Sequence, residues 1–299
     1  MEVIDRGNGV PLVLVPGIQG RWQYLRPAVD ALAGSCRVLT FPLCGERASG
    51  LRFDRAAGLD CYTDQIRRVL DERQIDRAAI CGVSFGGLIA VRFAAMHPDR
   101  TAALILTSTP GPTFRLARRH RVYARAPWLF GPLFLAETPR RVGREIAAAL
   151  PRRRDRWRFV VWQVRTFLAA PLSLSRMAGR ARMIGEGDRA ADCRRVTAPT
   201  LLVTGERDLD YVVPAEGTSQ YLQLISNCRA VVLEGTGHLG SITRPDSFAA
   251  VVQAFLSAEA KLDQRHSEHA RALPLPADAL APPAGLNAAA RFAPTEGRV

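Results

Sequence analysis

Short apolar runs alternate along the chain with longer segments in which apolar residues recur at helical spacing. The runs predict buried strands at 12–15, 37–42, 78–82, 102–107, 200–205 and 230–233. The intervening segments predict helices at 24–32, 62–70, 88–96 and 215–224, and a last helix at about 245–262. Such alternation is typical of an α/β fold with a mostly parallel central sheet that is flanked by helices.

The alternation is interrupted once, after the turn residues Thr109-Pro110-Gly111-Pro112. From there to about residue 195 the pattern contains helical stretches and no clear strand, which predicts a helical insertion. We therefore divide the chain into an α/β core at 1–110 and 196–262, a helical cap at 111–195, and a tail at 263–299. The tail is rich in alanine and proline, a composition that predicts disorder.

A Gly-x-Ser-x-Gly motif, Gly82-Val83-Ser84-Phe85-Gly86, lies between the third predicted strand and its helix. Glycines on both sides remove side-chain clashes, so a serine can stand at the tip of a sharp strand-to-helix turn. The pentapeptide alone is a weak signal, but here a strand precedes it and a helix follows it. This context predicts that Ser84 is a nucleophile on such a turn.

A serine hydroxyl needs a nearby base to take its proton, and a third group to hold that base. His238 is the candidate base, because Gly-Thr-Gly-His follows directly after the last predicted strand. Asp208 and Asp210 both follow the strand at 200–205, and either could orient the imidazole. The order Ser, Asp, His along the chain fits a Ser-His-Asp catalytic triad.

The net charge of +13 comes from one part of the chain. Residues 115–195 contain 20 arginines and six acidic residues, so the predicted cap carries the whole excess. Genome base composition is one explanation for so many arginines. The other is a basic surface that attracts anionic substrates, a carrier protein or lipid head groups. We expect no nucleic-acid partner, and a salt-dependent gel shift would test that expectation.

The remaining composition excludes several classes of protein. The six cysteines are scattered without a Cys-x-x-Cys pair, which favours neither a disulfide framework nor a zinc site. No apolar run approaches the length of a membrane span, and the N-terminus lacks the pattern of a signal peptide. We expect a cytoplasmic protein that needs neither metal nor cofactor, and the sequence does not indicate its oligomeric state.

With these motifs in place, residues 5 to 260 resemble the α/β-hydrolase superfamily. The resemblance rests on Pro16-Gly17 after the first long strand, the Ser84 motif, the strand-end aspartates and Gly237-His238. In that family the acid commonly stands three residues after a glycine and four before a proline. Asp208 fits the first spacing and Asp210 the second, and we prefer Asp210 because the proline begins the next helix.

The resemblance also implies an oxyanion hole formed by the backbone N–H groups of Ile18 and Phe85. The family often has His-Gly where this chain has Pro16-Gly17. The change does not remove the predicted donor, because that donor is a backbone N–H group. Relatives that open epoxides or remove halides use an aspartate nucleophile, so serine at position 84 indicates acyl chemistry instead. Apolar cap side chains could line an acyl pocket, or could simply pack the cap on the core: Trp128, Phe130 and Phe134.

The sequence thus predicts a serine hydrolase that cleaves carboxylic esters or thioesters of a small or acyl-chain substrate. Two alternatives stay open. The same residues could transfer an acyl group to an alcohol or amine, or the chain could be a non-catalytic binding protein on a hydrolase fold. The substrate itself depends on the shape of the cap, which the sequence does not give.

Overall fold

The computed structural model describes the backbone of residues 1–213 and 215–272, and the side chains of residues 1–213 and 217–262. Within this part, seven strands form one sheet: β1 (Ile4–Arg6), β2 (Val10–Val15), β3 (Cys36–Thr40), β4 (Ala78–Val83), β5 (Thr101–Thr107), β6 (Thr200–Gly205) and β7 (Cys228–Leu233). Their order across the sheet is β1-β3-β2-β4-β5-β6-β7. Only β1 runs antiparallel to its neighbour, so the predicted mostly parallel sheet is confirmed.

Helices cover both faces of this sheet, because the strands alternate buried side chains between two cores. Val13, Val15 and Ile80 belong to one core, whereas Leu12 and Leu14 belong to the other. The helices of the α/β region are α1 (Arg26–Leu32), α2 (Asp60–Glu72), α3 (Phe85–Met96), α10 (Ala215–Thr218), α11 (Gln220–Leu224), α12 (Gly240–Thr243) and α13 (Pro245–Ala272). The predicted helix at 215–224 is therefore two short helices, and α12 was not predicted.

Six helices occupy the region between β5 and β6. They are α4 (Arg118–Arg125), α5 (Pro127–Ala136), α6 (Thr138–Ala149), α7 (Arg153–Ala169), α8 (Leu174–Met183) and α9 (Arg189–Arg195). We call residues 111–195 the cap. The chain divides into two units, Met1–Ser257 and Ala258–Val299, and the cap lies within the first. The boundary between cap and core stays a prediction.

The last helix runs past its predicted end at 262 and reaches Ala272. The first residues of the predicted tail are thus helical in backbone, since residues 263–272 contain no glycine or proline and the first tail proline is Pro274. The rest of the predicted tail, 273–299, lies outside the described residues. No helix in the described part is long and apolar enough to cross a bilayer.

Candidate active site

Ser84 stands at the sharp turn between β4 and α3. Its backbone has φ +54° and ψ −119°, a conformation that L-residues rarely adopt. The flanking glycines permit the turn, because a Cβ at Gly82 would collide with the backbone of Gly86 and Gly87. A Cβ at Gly86 would collide with the carbonyl of Val15. The strained turn therefore depends on close backbone packing at the carboxyl ends of β2 and β4.

His238 lies on the loop after β7 and faces Ser84. Its Nε2 is 3.1 Å from the Ser84 Oγ, although 154 residues separate the two in sequence. The histidine side chain is 12% exposed. This distance is within reach for hydrogen bonding, so the neutral imidazole can accept the hydroxyl proton when Oγ attacks a carbonyl carbon.

Asp210 lies on the other side of the imidazole. Its Oδ2 is 3.4 Å from the His238 Nδ1, while its Oδ1 accepts 2.9 Å bonds from the N–H groups of Val212 and Val213. Burial raises the pKa of Asp210, but His238 and the two amides outweigh it and hold the pKa below the usual 3.8. Asp210 is thus the anionic partner of His238, and Asp208 is exposed on the preceding turn.

The Nδ1–Oδ2 distance is longer than a typical N–H···O hydrogen bond. His238 Nδ1 is buried and has no well-aligned acceptor among the described residues. Asp210 is the carboxylate nearest to that nitrogen in the ion-pair geometry. The pair is therefore a close electrostatic contact.

Glu206 ties the two loops that carry Asp210 and His238. Its N–H donates to the Thr236 carbonyl over 2.7 Å, and its Oε1 accepts from the Gly235 N–H over 2.6 Å. The loops also touch directly, because a Cβ at Gly237 would collide with the backbone at Leu209. These contacts fix the position of the acid relative to the base.

The two predicted oxyanion donors lie beside Ser84. Phe85 is the first residue of α3, where helix N–H groups have no intrahelical acceptor. Gly17, next to Ile18, is so close that a Cβ there would be 3.5 Å from the Ser84 Cβ. Among the described residues, no hydrogen bond occupies the N–H of Ile18 or of Phe85. Their role as oxyanion donors stays a prediction.

Glu145, on cap helix α6, is a site residue that the sequence analysis missed. Its side chain is buried, and its Oε1 accepts from the N–H groups of Gly237 and Leu239, on either side of His238. Burial raises its pKa, although the two amides and His238 act in the opposite direction. The adjacent Arg144 contacts Tyr211, the residue after Asp210. Helix α6 therefore holds both loops of the candidate triad.

A buried ion cluster links cap helix α8 to the oxyanion loop. Arg180 is 2% exposed; its Nη2 donates to Glu46 Oε1 over 2.8 Å and its Nη1 to the Ile18 carbonyl over 3.1 Å. Arg176 binds the second Glu46 oxygen at 3.0 Å. Gly20 leaves room for the guanidinium, since a Cβ there would collide with it. Arg180 thereby holds the peptide between Ile18 and Gln19, directly after the predicted oxyanion donor.

A cavity of about 210 Å³ opens beside this cluster. It is lined by Tyr62 from the core and by residues of α8, including Arg176 and Arg180. The Tyr62 ring meets the Phe85 ring edge-on at 5.8 Å between centroids. Tyr62 thus connects the cavity to Phe85, although none of the residues that line it belongs to the candidate triad.

The three aromatic residues predicted for a substrate pocket all lie on α5. Trp128 is 80% exposed. Phe130 stacks on Tyr123, and Phe134 lies under the Arg141 guanidinium at 4.0 Å. Their assignment to a substrate pocket stays a prediction. Among the described residues, no group of three or more histidine, cysteine or acidic side chains is arranged to hold a metal ion.

Comparison with known proteins assigns the chain to a family. A sequence profile described as "Alpha/beta hydrolase family" matches residues 12–251, which include Ser84, Asp210 and His238. The chain belongs to the alpha/beta hydrolase family. The resemblance found in the sequence is thereby confirmed.

Individual relatives of this alpha/beta hydrolase are distant. Pimeloyl-(acyl-carrier protein) methyl ester esterase of Nitrosomonas europaea is 26% identical, over 85% of this chain and 98% of that protein. The 2-hydroxymuconate semialdehyde hydrolase of Pseudomonas sp. strain CF600 is 28% identical, over 85% of this chain and 89% of that protein. The crystal structure of an enol-lactonase from Burkholderia xenovorans LB400 matches with a TM-score of 0.71 and 24% identity, over 86% and 96% of the two chains. These relatives are hydrolases that are named for different substrates.

Proposed function

We propose that this alpha/beta hydrolase is a serine hydrolase that cleaves carboxylic esters or thioesters through an acyl-enzyme. The observation that carries the proposal is the 3.1 Å separation of Ser84 Oγ and His238 Nε2, with Asp210 on the far side of the imidazole. A serine, a base and an orienting carboxylate in this spatial arrangement form a functional triad on several unrelated folds. The open N–H groups of Ile18 and Phe85 supply the fourth requirement, a place for the oxyanion.

In the proposed reaction, Ser84 Oγ bonds to the carbonyl carbon while His238 Nε2 takes the hydroxyl proton. The carbonyl oxygen becomes an oxyanion that accepts hydrogen bonds from Ile18 and Phe85. His238 then gives its proton to the leaving oxygen or sulfur, and an ester at Ser84 remains. Water attacks that ester with His238 again as base, which releases a carboxylic acid and restores the serine. Asp210 stays ionised throughout and stabilises the imidazolium.

Acyl chemistry follows from the nucleophile, and the ester class is consistent with the name of one relative. A serine alkoxide attacks carbonyl carbon, and its product must be an acyl-enzyme. The Nitrosomonas europaea relative is named as a methyl ester esterase, which is the same class of reaction. The Pseudomonas relative is named for a semialdehyde substrate, so the ester preference has to be measured here.

The test is hydrolysis of p-nitrophenyl esters over a series of acyl lengths, with wild type beside Ser84→Ala and His238→Ala. We expect turnover in wild type and a loss of at least about a thousandfold in both variants. Adding a short alcohol or amine separates the alternatives, because an acyltransferase would form the new ester or amide faster than the free acid. A wild type that binds acyl compounds without turning them over would favour the binding-protein alternative.

A further inference from the structure

Helix α7 of the cap exposes a stripe of large apolar side chains. It consists of Trp157, Val160, Val164, Phe167 and Leu168, and we call it the α7 stripe. Trp157 is 68% exposed and Leu168 is 73% exposed. A contiguous apolar patch that faces water indicates an interaction surface, because isolated exposed apolar residues do not line up in this way.

The α7 stripe lies on a different face of the helix from the face that packs against the core. Phe159 and Thr166 are the buried residues of α7, and Phe159 belongs to the core that also contains β2 and α13 residues. At 100° per residue the stripe covers an arc of about 100°, centred roughly 140° from the buried pair. Helix α7 is thus apolar toward the core and apolar again toward the outside.

Arginines border the stripe. Arg154, Arg158 and Arg165 are exposed and project within an arc of about 40° along one of its edges. No hydrogen bond or ion pair to another described residue neutralises these three side chains. The only acidic residue of α7 is Asp155. An occupant of this surface has to cover apolar groups and compensate a row of positive charge.

We propose that the α7 stripe docks on an anionic lipid surface. A helix that lies in the plane of a bilayer places its apolar face below the head groups, with tryptophan at the boundary and arginines beside the phosphates. The stripe extends about 16 Å along a single helix, so a flat surface can contact it over its whole length. A second copy of this chain is disfavoured, because two stripes packed face to face would bring two clusters of positive charge close together.

The experiment measures partition of the full-length protein onto vesicles of phosphatidylcholine mixed with phosphatidylglycerol, and onto phosphatidylcholine alone. We expect binding to the anionic vesicles that weakens as salt is raised. Trp157→Ser with Leu168→Ser should weaken it by at least about tenfold, because the buried apolar contact is lost. Arg154→Gln, Arg158→Gln and Arg165→Gln should each weaken it by about fivefold.

Matched controls come from exposed residues elsewhere: Leu222→Ser on α11 and Arg68→Gln on α2 should leave the partition unchanged. Circular dichroism of each variant checks that the fold is intact. Equal partition onto both kinds of vesicle, or anionic binding that survives the double serine variant, would overturn the proposal. So would a wild-type dimer in sedimentation velocity that the same double variant dissociates, because the stripe would then bind a second copy.

Discussion

Replacing Glu145 by alanine tests whether the cap positions the catalytic base. One carboxylate oxygen accepts from the N–H groups of both Gly237 and Leu239, so the residues on each side of His238 are held from α6. Alanine removes the acceptor and leaves the buried N–H of Gly237 and the partly buried N–H of Leu239 without a partner. We expect the loop to shift and the Ser84–His238 contact to lengthen.

The magnitude follows from those two bonds. A buried N–H that loses its acceptor costs about 1–3 kcal/mol, and two of them set an upper range of about 2–6 kcal/mol. Removing a buried carboxylate returns part of this cost, so we expect a net loss of about 2–4 kcal/mol in the free energy of unfolding. A displacement of the imidazole by about 1 Å would lower kcat roughly a hundredfold.

The assay compares Glu145→Ala with Glu145→Gln by urea unfolding and by ester hydrolysis. Glutamine keeps a carbonyl oxygen in place, so it should retain most of the kcat that alanine loses. Normal kcat in a folded Glu145→Ala protein would refute the positioning role. Equal losses of kcat in both variants would refute the hydrogen-bond explanation.

Glu145 also predicts a pH dependence of stability. Its pKa in the folded protein is raised above the usual 4.5, mainly by burial. Between the two values the folded state binds more protons than the unfolded state, so stability falls as pH rises through this window. Glu145→Gln has no such proton, so the difference in the free energy of unfolding between wild type and this variant should fall as pH rises through that window and stay flat on either side of it. A difference that is flat from pH 4 to pH 7 would contradict the raised pKa.

Four further results are expected. Gly82→Ala should abolish ester hydrolysis and lower the melting temperature, because its Cβ would collide with backbone at the serine turn. Asp210→Asn should lower kcat by at least about a hundredfold, whereas Asp208→Asn, at an exposed position, should leave it near wild type. The pKa of Asp210 is lowered in the folded protein, so its ionised form should stabilise the fold above pH 3.8, and this stabilisation should be lost as the pH falls through the pKa of the folded state. Acid unfolding of Asp210→Asn should not show this loss of stability. Arg180→Met should cost about 3–5 kcal/mol in urea unfolding, since Glu46 loses a buried partner.

Local sequence was sufficient for the sheet. The six predicted strands are all present, because each is a short apolar run between turn residues, and the structure adds the short antiparallel edge strand β1. The helix predicted at 215–224 was wrong in its continuity. It is broken between Thr218 and Gln220, just after Gly217, a residue of low helix propensity that the prediction of one continuous helix did not take into account.

The candidate site was predictable where a residue carries its own local signal. Ser84 has glycines around it, and His238 follows a glycine-rich loop after the last strand. Spacing to the following proline favoured Asp210 and spacing to the preceding glycine fitted Asp208, since the orientation of each carboxylate depends on the turn after β6. Only the turn's packing against Gly237 decides it.

Glu145 and Arg180 could not be predicted, because their roles exist only in the folded chain. Glu145 reaches Gly237 across 92 residues, and Arg180 reaches Ile18 across 162 residues. One signal was available: Glu145 is among only six acids in a segment with 20 arginines, which is an unusual place for a carboxylate. The exposure of the α7 stripe likewise required the packing of the cap.

The central claim is that Ser84 is a nucleophile activated by His238, and a covalent probe tests it most directly. The measurement is intact-mass and peptide mapping of the protein after treatment with a fluorophosphonate. We predict one adduct per chain on Ser84, formed much more slowly in His238→Ala and absent in Ser84→Ala. An unlabelled, folded wild type, or an adduct of equal yield in Ser84→Ala, would contradict it.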